Sequence, residues 1–169
     1  MDKHPIIDLQ LGEDLPSHII NDVPSITSVS DWIGLAYDQV TSKFPNNASA
    51  RQLPPEISIR IVSITESRSL NKQFRGKDKP TNVLSFESEL PEFVPSGFLG
   101  DLAICAEVVV AEAKEQNKAI QSHWAHMSIH GLLHLMGFDH IDKSDAMEME
   151  ALEIDILAKL GIDDPYQIS

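Results

Sequence analysis

The stretch His123-Trp-Ala-His126-Met-Ser-Ile-His130-Gly-Leu-Leu-His134-Leu-Met-Gly137-Phe-Asp139-His140 constrains this chain more than any other, and it holds five of the seven histidines. Apolar spacing predicts a helix from Ile120 to Met136. His130 and His134 are four residues apart, so they project from one face of that helix, a turn from each other. Imidazole nitrogens so placed reach one ion at roughly 2.0–2.1 Å each. Gly137 is placed to end the helix in a left-handed conformation, which lets His140 swing round as a third ligand. Three neutral imidazoles with an open fourth position describe a catalytic rather than a structural site. Nitrogen donors without thiolate favour zinc and leave nickel, copper and iron open. His126 lies on the same stripe, but His126 and His134 stand about 12 Å apart at 1.5 Å per residue, too far to share an ion easily. His126 is therefore expected to support a ligand or carry a proton, His123 to be exposed, and Trp124 and Met127 to pack.

The spacing H-x3-H-x2-G-x2-H matches the metzincin protease pattern except where that pattern has glutamate as general base; Gly131 stands there. A positioned base contributes typically 10²–10⁴-fold, so peptide hydrolysis is not indicated. Arg75-Gly76-Lys77-Asp78-Lys79-Pro80-Thr81-Asn82 offers a different complement, a turn presenting cations. Arginine's planar fork suits bidentate phosphate recognition, and next to a metal site this points to phosphodiester cleavage.

Charge carries the same message. The net charge is −13, yet residues 51–80 hold seven of the thirteen bases against three acids, a local +4 that leaves −17 on the rest. Such a shell repels free nucleic acid at long range and favours a specific polyanion docked on a partner. The ten aromatic residues form no evident base-stacking platform. Cys105 is the only cysteine, and no signal segment or run of about 18 apolar residues is present, so a cytoplasmic protein without a membrane span is expected.

Strands are predicted at Ile6–Leu11, Ile57–Ile64, Asn82–Phe86 and Phe98–Ala106. Helices are predicted at Ser30–Phe44, from a Thr65 cap to Phe74, Val108–Asn117, Ile120–Met136 and Asp142–Leu160. Residues 1–169 thus read as one α+β layered domain of undetermined strand order.

The segments RGKDKPTNVLSF (Arg75–Phe86) and HGLLHLMGFDH (His130–His140) resemble the YbeY family of ribosomal RNA maturation endoribonucleases. GDLAICAEVV (Gly100–Val109), HWAHMSIH (His123–His130) and GIDDPY (Gly161–Tyr166) fit it too, whereas the first fifty residues match loosely. The resemblance implies a single α/β domain with a small, mixed, mostly parallel sheet flanked by helices and a zincin-like metal helix. It further implies one zinc ion on His130, His134 and His140, and single-strand-specific RNA cleavage, with Arg75 the residue tied to activity. The implied role is ribosomal RNA processing, notably maturation of the 16S 3′ end, and ribosome quality control. The implied partners are ribosomal RNA, the small ribosomal subunit, a small-subunit ribosomal protein and the Era GTPase.

On the residues alone, zinc lowering the pKa of its water and zinc acting as a Lewis acid while the RNA 2′-OH attacks both remain open. Arg75 would stabilise transition-state charge, and Asp139 or His126 would relay a proton. Two further readings stand beside the nuclease. One is a metallohydrolase of peptides or small molecules that takes its base from elsewhere. The other is a non-catalytic ribosome-assembly factor with a structural metal.

Overall fold

Strict alternation makes the sheet two-sided. In the computed structural model, which describes residues 4–45, 53–91, 93–139 and 141–167, four strands pair in the order β1-β2-β4-β3. They are β1 (Ile6–Leu11), β2 (Glu56–Val62), β3 (Val83–Glu87) and β4 (Phe98–Cys105). β1, β2 and β4 run parallel and β3 lies antiparallel on β4, so the sheet is mixed and mostly parallel as expected. Ile59 stands beside Leu9 and Leu102, and Ile61 beside Leu11 and Ile104, which gives one face a continuous aliphatic layer. Ser58, Arg60, Asp101 and Ala103 fall on the other face.

Among the described residues six helices complete the α/β fold: α1 (Ser17–Ile20), α2 (Ile26–Lys43), α3 (Ile64–Arg75), α4 (Ala106–Glu115), α5 (Ile120–Leu135) and α6 (Lys143–Lys159). α5 is the central one, in contact with α2, α4, α6, β3 and β4. Its residues from His123 to Ile129 are all buried, the mark of a helix enclosed by neighbours. Trp124, Ile129, Leu132 and Leu133 share one core cluster with Ile33 and Val40 of α2 and Met149 and Ile156 of α6. Burial of each such side chain contributes about 1.5–3 kcal/mol, so the histidine motif sits on a helix firmly held by its neighbours.

The opposite face of the sheet carries less. Leu70 of α3 packs on a smaller cluster of Val62, Leu84, Ala103 and Cys105, and the uncovered remainder is an open groove.

Element boundaries moved where capping outweighs apolar spacing. α2 starts at Ile26, four residues before the predicted Ser30, because Ser25 accepts a 3.1 Å hydrogen bond from the Ser28 N–H. Ser63 rather than Thr65 caps α3, accepting from the Glu66 N–H at 3.1 Å, and this stops β2 at Val62. α1 is a single turn outside every helix predicted above.

Candidate active site

Gly131 explains where α5 can run. A Cβ at this position would lie 2.8 Å from Leu102 Cδ2 of β4, so a glutamate here would have to displace that buried side chain. Four turns of α5 then end in a Schellman motif. Gly137 has φ +98°, its N–H donates to the His134 carbonyl at 3.1 Å, and the Phe138 N–H donates to the Leu133 carbonyl at 3.0 Å. The reversal expected at Gly137 is therefore present. His130 and His134 lie side by side as predicted, with ring centroids 4.8 Å apart. The third expected ligand, His140, lies outside the described residues.

Behind His130 stands a carboxylate that sequence reasoning missed. Glu153 of α6 is 0% exposed, and its Oε1 lies 2.5 Å from His130 Nδ1 and 3.5 Å from His126 Nε2. The Tyr166 hydroxyl donates to its other oxygen. Burial pushes the Glu153 carboxyl up, but the hydrogen bonds from His126 and His130 outweigh it and hold the carboxyl down at about 2. An ionised carboxylate only accepts, so His130 donates to it through Nδ1. Burial in turn pushes His126 below its ordinary value, which keeps it neutral. The signal in the sequence was Glu153 itself, an acid on the helix face that buries Met149, Leu152 and Ile156.

Among the described residues, His126, His130 and Glu153 form a group able to hold a metal ion, their donor atoms lying within 4.8 Å of one another. Two donors bound to one ion at about 2.0–2.1 Å in tetrahedral geometry stand roughly 3.3 Å apart. The 2.5 Å His130–Glu153 contact is shorter, the distance of a charge-assisted hydrogen bond. As arranged here, Glu153 orients His130.

His123 is not exposed as expected but 2% exposed, with Nε2 at 3.0 Å from Glu112 Oε1. The reason is α4, which packs along α5 and brings Glu112 to it. Asn82 donates to the same carboxylate at 3.2 Å.

Arg75 closes α3 and reaches the groove. Its Nη2 donates to the Ser85 carbonyl of edge strand β3 at 2.7 Å, and its Nη1 donates to the Phe74 carbonyl at 3.2 Å. The following turn is pinned by Arg68, which holds Asp78 through bonds of 2.7 and 3.2 Å, and by Asn71, which donates to the Lys79 carbonyl at 2.8 Å. Arg75 and His134 line the same groove, about 1180 Å³ in volume. Two motifs far apart in sequence thus open on one space.

The family described as Endoribonuclease YbeY matches residues 21–161. A protein named Endoribonuclease YbeY from Colwellia psychrerythraea is 54% identical over 135 residues, covering 80% of this chain and 83% of the relative. One of the same name from Alteromonas mediterranea is 47% identical over 163 residues, covering 95% and 96%. The solution structure of TM1509 from Thermotoga maritima overlays with a TM-score of 0.49 at 23% identity, covering 96% of this chain and 99% of that one. The match over most of the chain, on relatives of nearly equal length, makes this protein a member of the YbeY endoribonuclease family.

Proposed function

We propose that this chain is a metal-dependent endoribonuclease that cuts single-stranded RNA in the processing of ribosomal RNA. The observation that carries the reading is the groove shared by Arg75 and His134, with Glu153 fixing the neighbouring His130 from behind. The donor set fits an ion. His130 is bound through Nδ1 to a buried carboxylate, as metal-binding histidines are held in general. His130, His134 and His140 would hold it, and all-nitrogen ligation favours zinc. When bound, such an ion supplies a positive charge that polarises a phosphoryl oxygen. Arg75 binds the phosphate and stabilises the charge that develops on it. Glu153 and Tyr166 keep His130 in register, and Gly131 leaves no side chain to serve as a protease base. The ribosomal partners and the cytoplasmic location belong to this proposal through the family resemblance. That no helix among the described residues is long and apolar enough to cross a membrane is compatible with it.

The test is digestion of a ribosomal RNA fragment containing paired and unpaired regions by purified, chelator-treated and zinc-restored protein. Cuts confined to unpaired regions, lost on chelation and regained with zinc, are expected. Intact RNA in all three samples, with small ribosomal subunits also added, would favour an assembly factor instead.

A further inference from the structure

The groove contains a surface that the nuclease chemistry does not use. Phe74, in the last turn of α3, is 51% exposed although it is a large apolar side chain. One side of it is occupied, because Phe74 meets Phe86 of β3 in an edge-to-face contact at 5.2 Å with the rings inclined by 70°. Arg75 lies over the same Phe86 ring, its guanidinium carbon 5.1 Å from the centroid. Phe74, Arg75 and Phe86 therefore form a continuous π-cation surface, and all three line the groove that also reaches His134. Two of Arg75's donors hold the Ser85 and Phe74 carbonyls, which locks the guanidinium plane and leaves the other three of the five for a ligand.

We infer that Phe74, braced by Phe86, is a base-stacking platform for an unpaired nucleobase of the RNA strand whose phosphate Arg75 holds. The inference rests on the nuclease reading and deepens it by naming how the strand is gripped. An exposed ring beside a fixed arginine offers a base its π-face and the adjacent phosphate a planar cation. Every base has a π-face, so the platform tolerates any sequence. Only an unpaired base can leave its neighbours to lie on it, so the same surface selects single strands over duplex. Electrostatics favours this occupant over an apolar peptide, because the basic turn Lys77–Lys79 adjoins Arg75 and is exposed. Packing alone accounts for Phe86, which is half-buried, but leaves the open half of Phe74 unexplained.

The experiment compares wild type, Phe74→Leu and Phe74→Trp on a short single-stranded RNA oligonucleotide and on its duplex, at low salt. Leucine keeps the apolar contact with Phe86 and removes the aromatic face. Removal of one stacked base contact corresponds to about a tenfold loss of affinity. Phe74→Leu is therefore expected to raise KM about tenfold, with the larger share of the loss in KM rather than kcat. Phe74→Trp is expected to restore KM, and its emission to be quenched by the single strand and not by the duplex. A Phe74→Leu KM within twofold of wild type, or Phe74→Trp emission unmoved by saturating single strand, would overturn the platform and leave the nuclease reading standing. Wild-type protein that neither binds nor cleaves the single strand would remove that reading and the platform with it.

Discussion

A carboxylate taken wholly out of water persists only where its charge is answered, and Glu153 is answered by His126, His130 and Tyr166. Its role in the metal site follows from that arrangement and is separable from folding by a conservative change. Glu153→Gln should keep the fold while weakening zinc binding by about 10–100-fold, as loss of an orienting partner does. Calorimetric titration of metal-free protein with zinc checks this, and undiminished affinity would mean that Glu153 does not orient His130. Gly131 carries a prediction of opposite kind. Gly131→Glu recreates the protease motif on paper, but the side chain would enter the fully buried contact with Leu102. Overpacking and an unpaired buried charge together should cost about 3 kcal/mol or more, a fall of roughly 6–12 °C in Tm, with no gain of peptidase activity. Thermal unfolding by circular dichroism reads the outcome.

Helices α4, α5 and α6 hold the site by polar ties across an otherwise apolar packing, and the α4–α5 tie is titratable. The hydrogen bond from His123 is the main cause that holds the Glu112 carboxyl below its ordinary value of 4.5. A carboxyl lowered in the folded state adds stability that is fully present above about pH 4.5 and is lost as pH falls through the lower folded value. Glu112→Gln should thus lower Tm more at pH 7 than at pH 3, and equal losses at both would contradict the tie. What the sequence showed of these elements was whatever lies in one local window. The His130–His134 pair and the Gly137 stop fall within a single helix end, and each behaves in the fold as its spacing implied. Glu153 is 23 residues from His130 and on another helix, so its partnership is a product of packing and invisible to periodicity. The shared groove of Arg75 and His134 likewise depends on β3 pairing with β4 rather than β2, and strand order is not encoded in local alternation. His123 was misjudged for the same reason: nothing near it in sequence announces that α4 covers it.

The whole molecule is an anion that handles an anion. With a net charge of −13, it repels a phosphate backbone at long range, and on the proposed reading association runs through the few cations at the groove. Arg60 and Arg68 are engaged by Glu66 and Asp78, which leaves Arg75, Lys77 and Lys79 as the cations of the turn beside the groove. About three phosphate contacts on a single strand give a slope of log K against log salt of about −2, and Arg75→Ala should reduce it by about 0.7. Fluorescence-anisotropy titrations between low and physiological salt measure the slope, and a value near zero would place RNA elsewhere on the surface. In the proposed function Arg75 and the histidine helix act on one phosphodiester. Single-turnover cleavage of a single-stranded RNA by wild type, Arg75→Ala, His134→Ala and the double variant measures whether they do. Each single change is expected to cost about 10²-fold or more, and the double variant to be little slower than the worse single one, because parts of one site fail together. Arg75→Ala that cleaves at the wild-type rate, or losses that multiply in the double variant, would contradict the shared site.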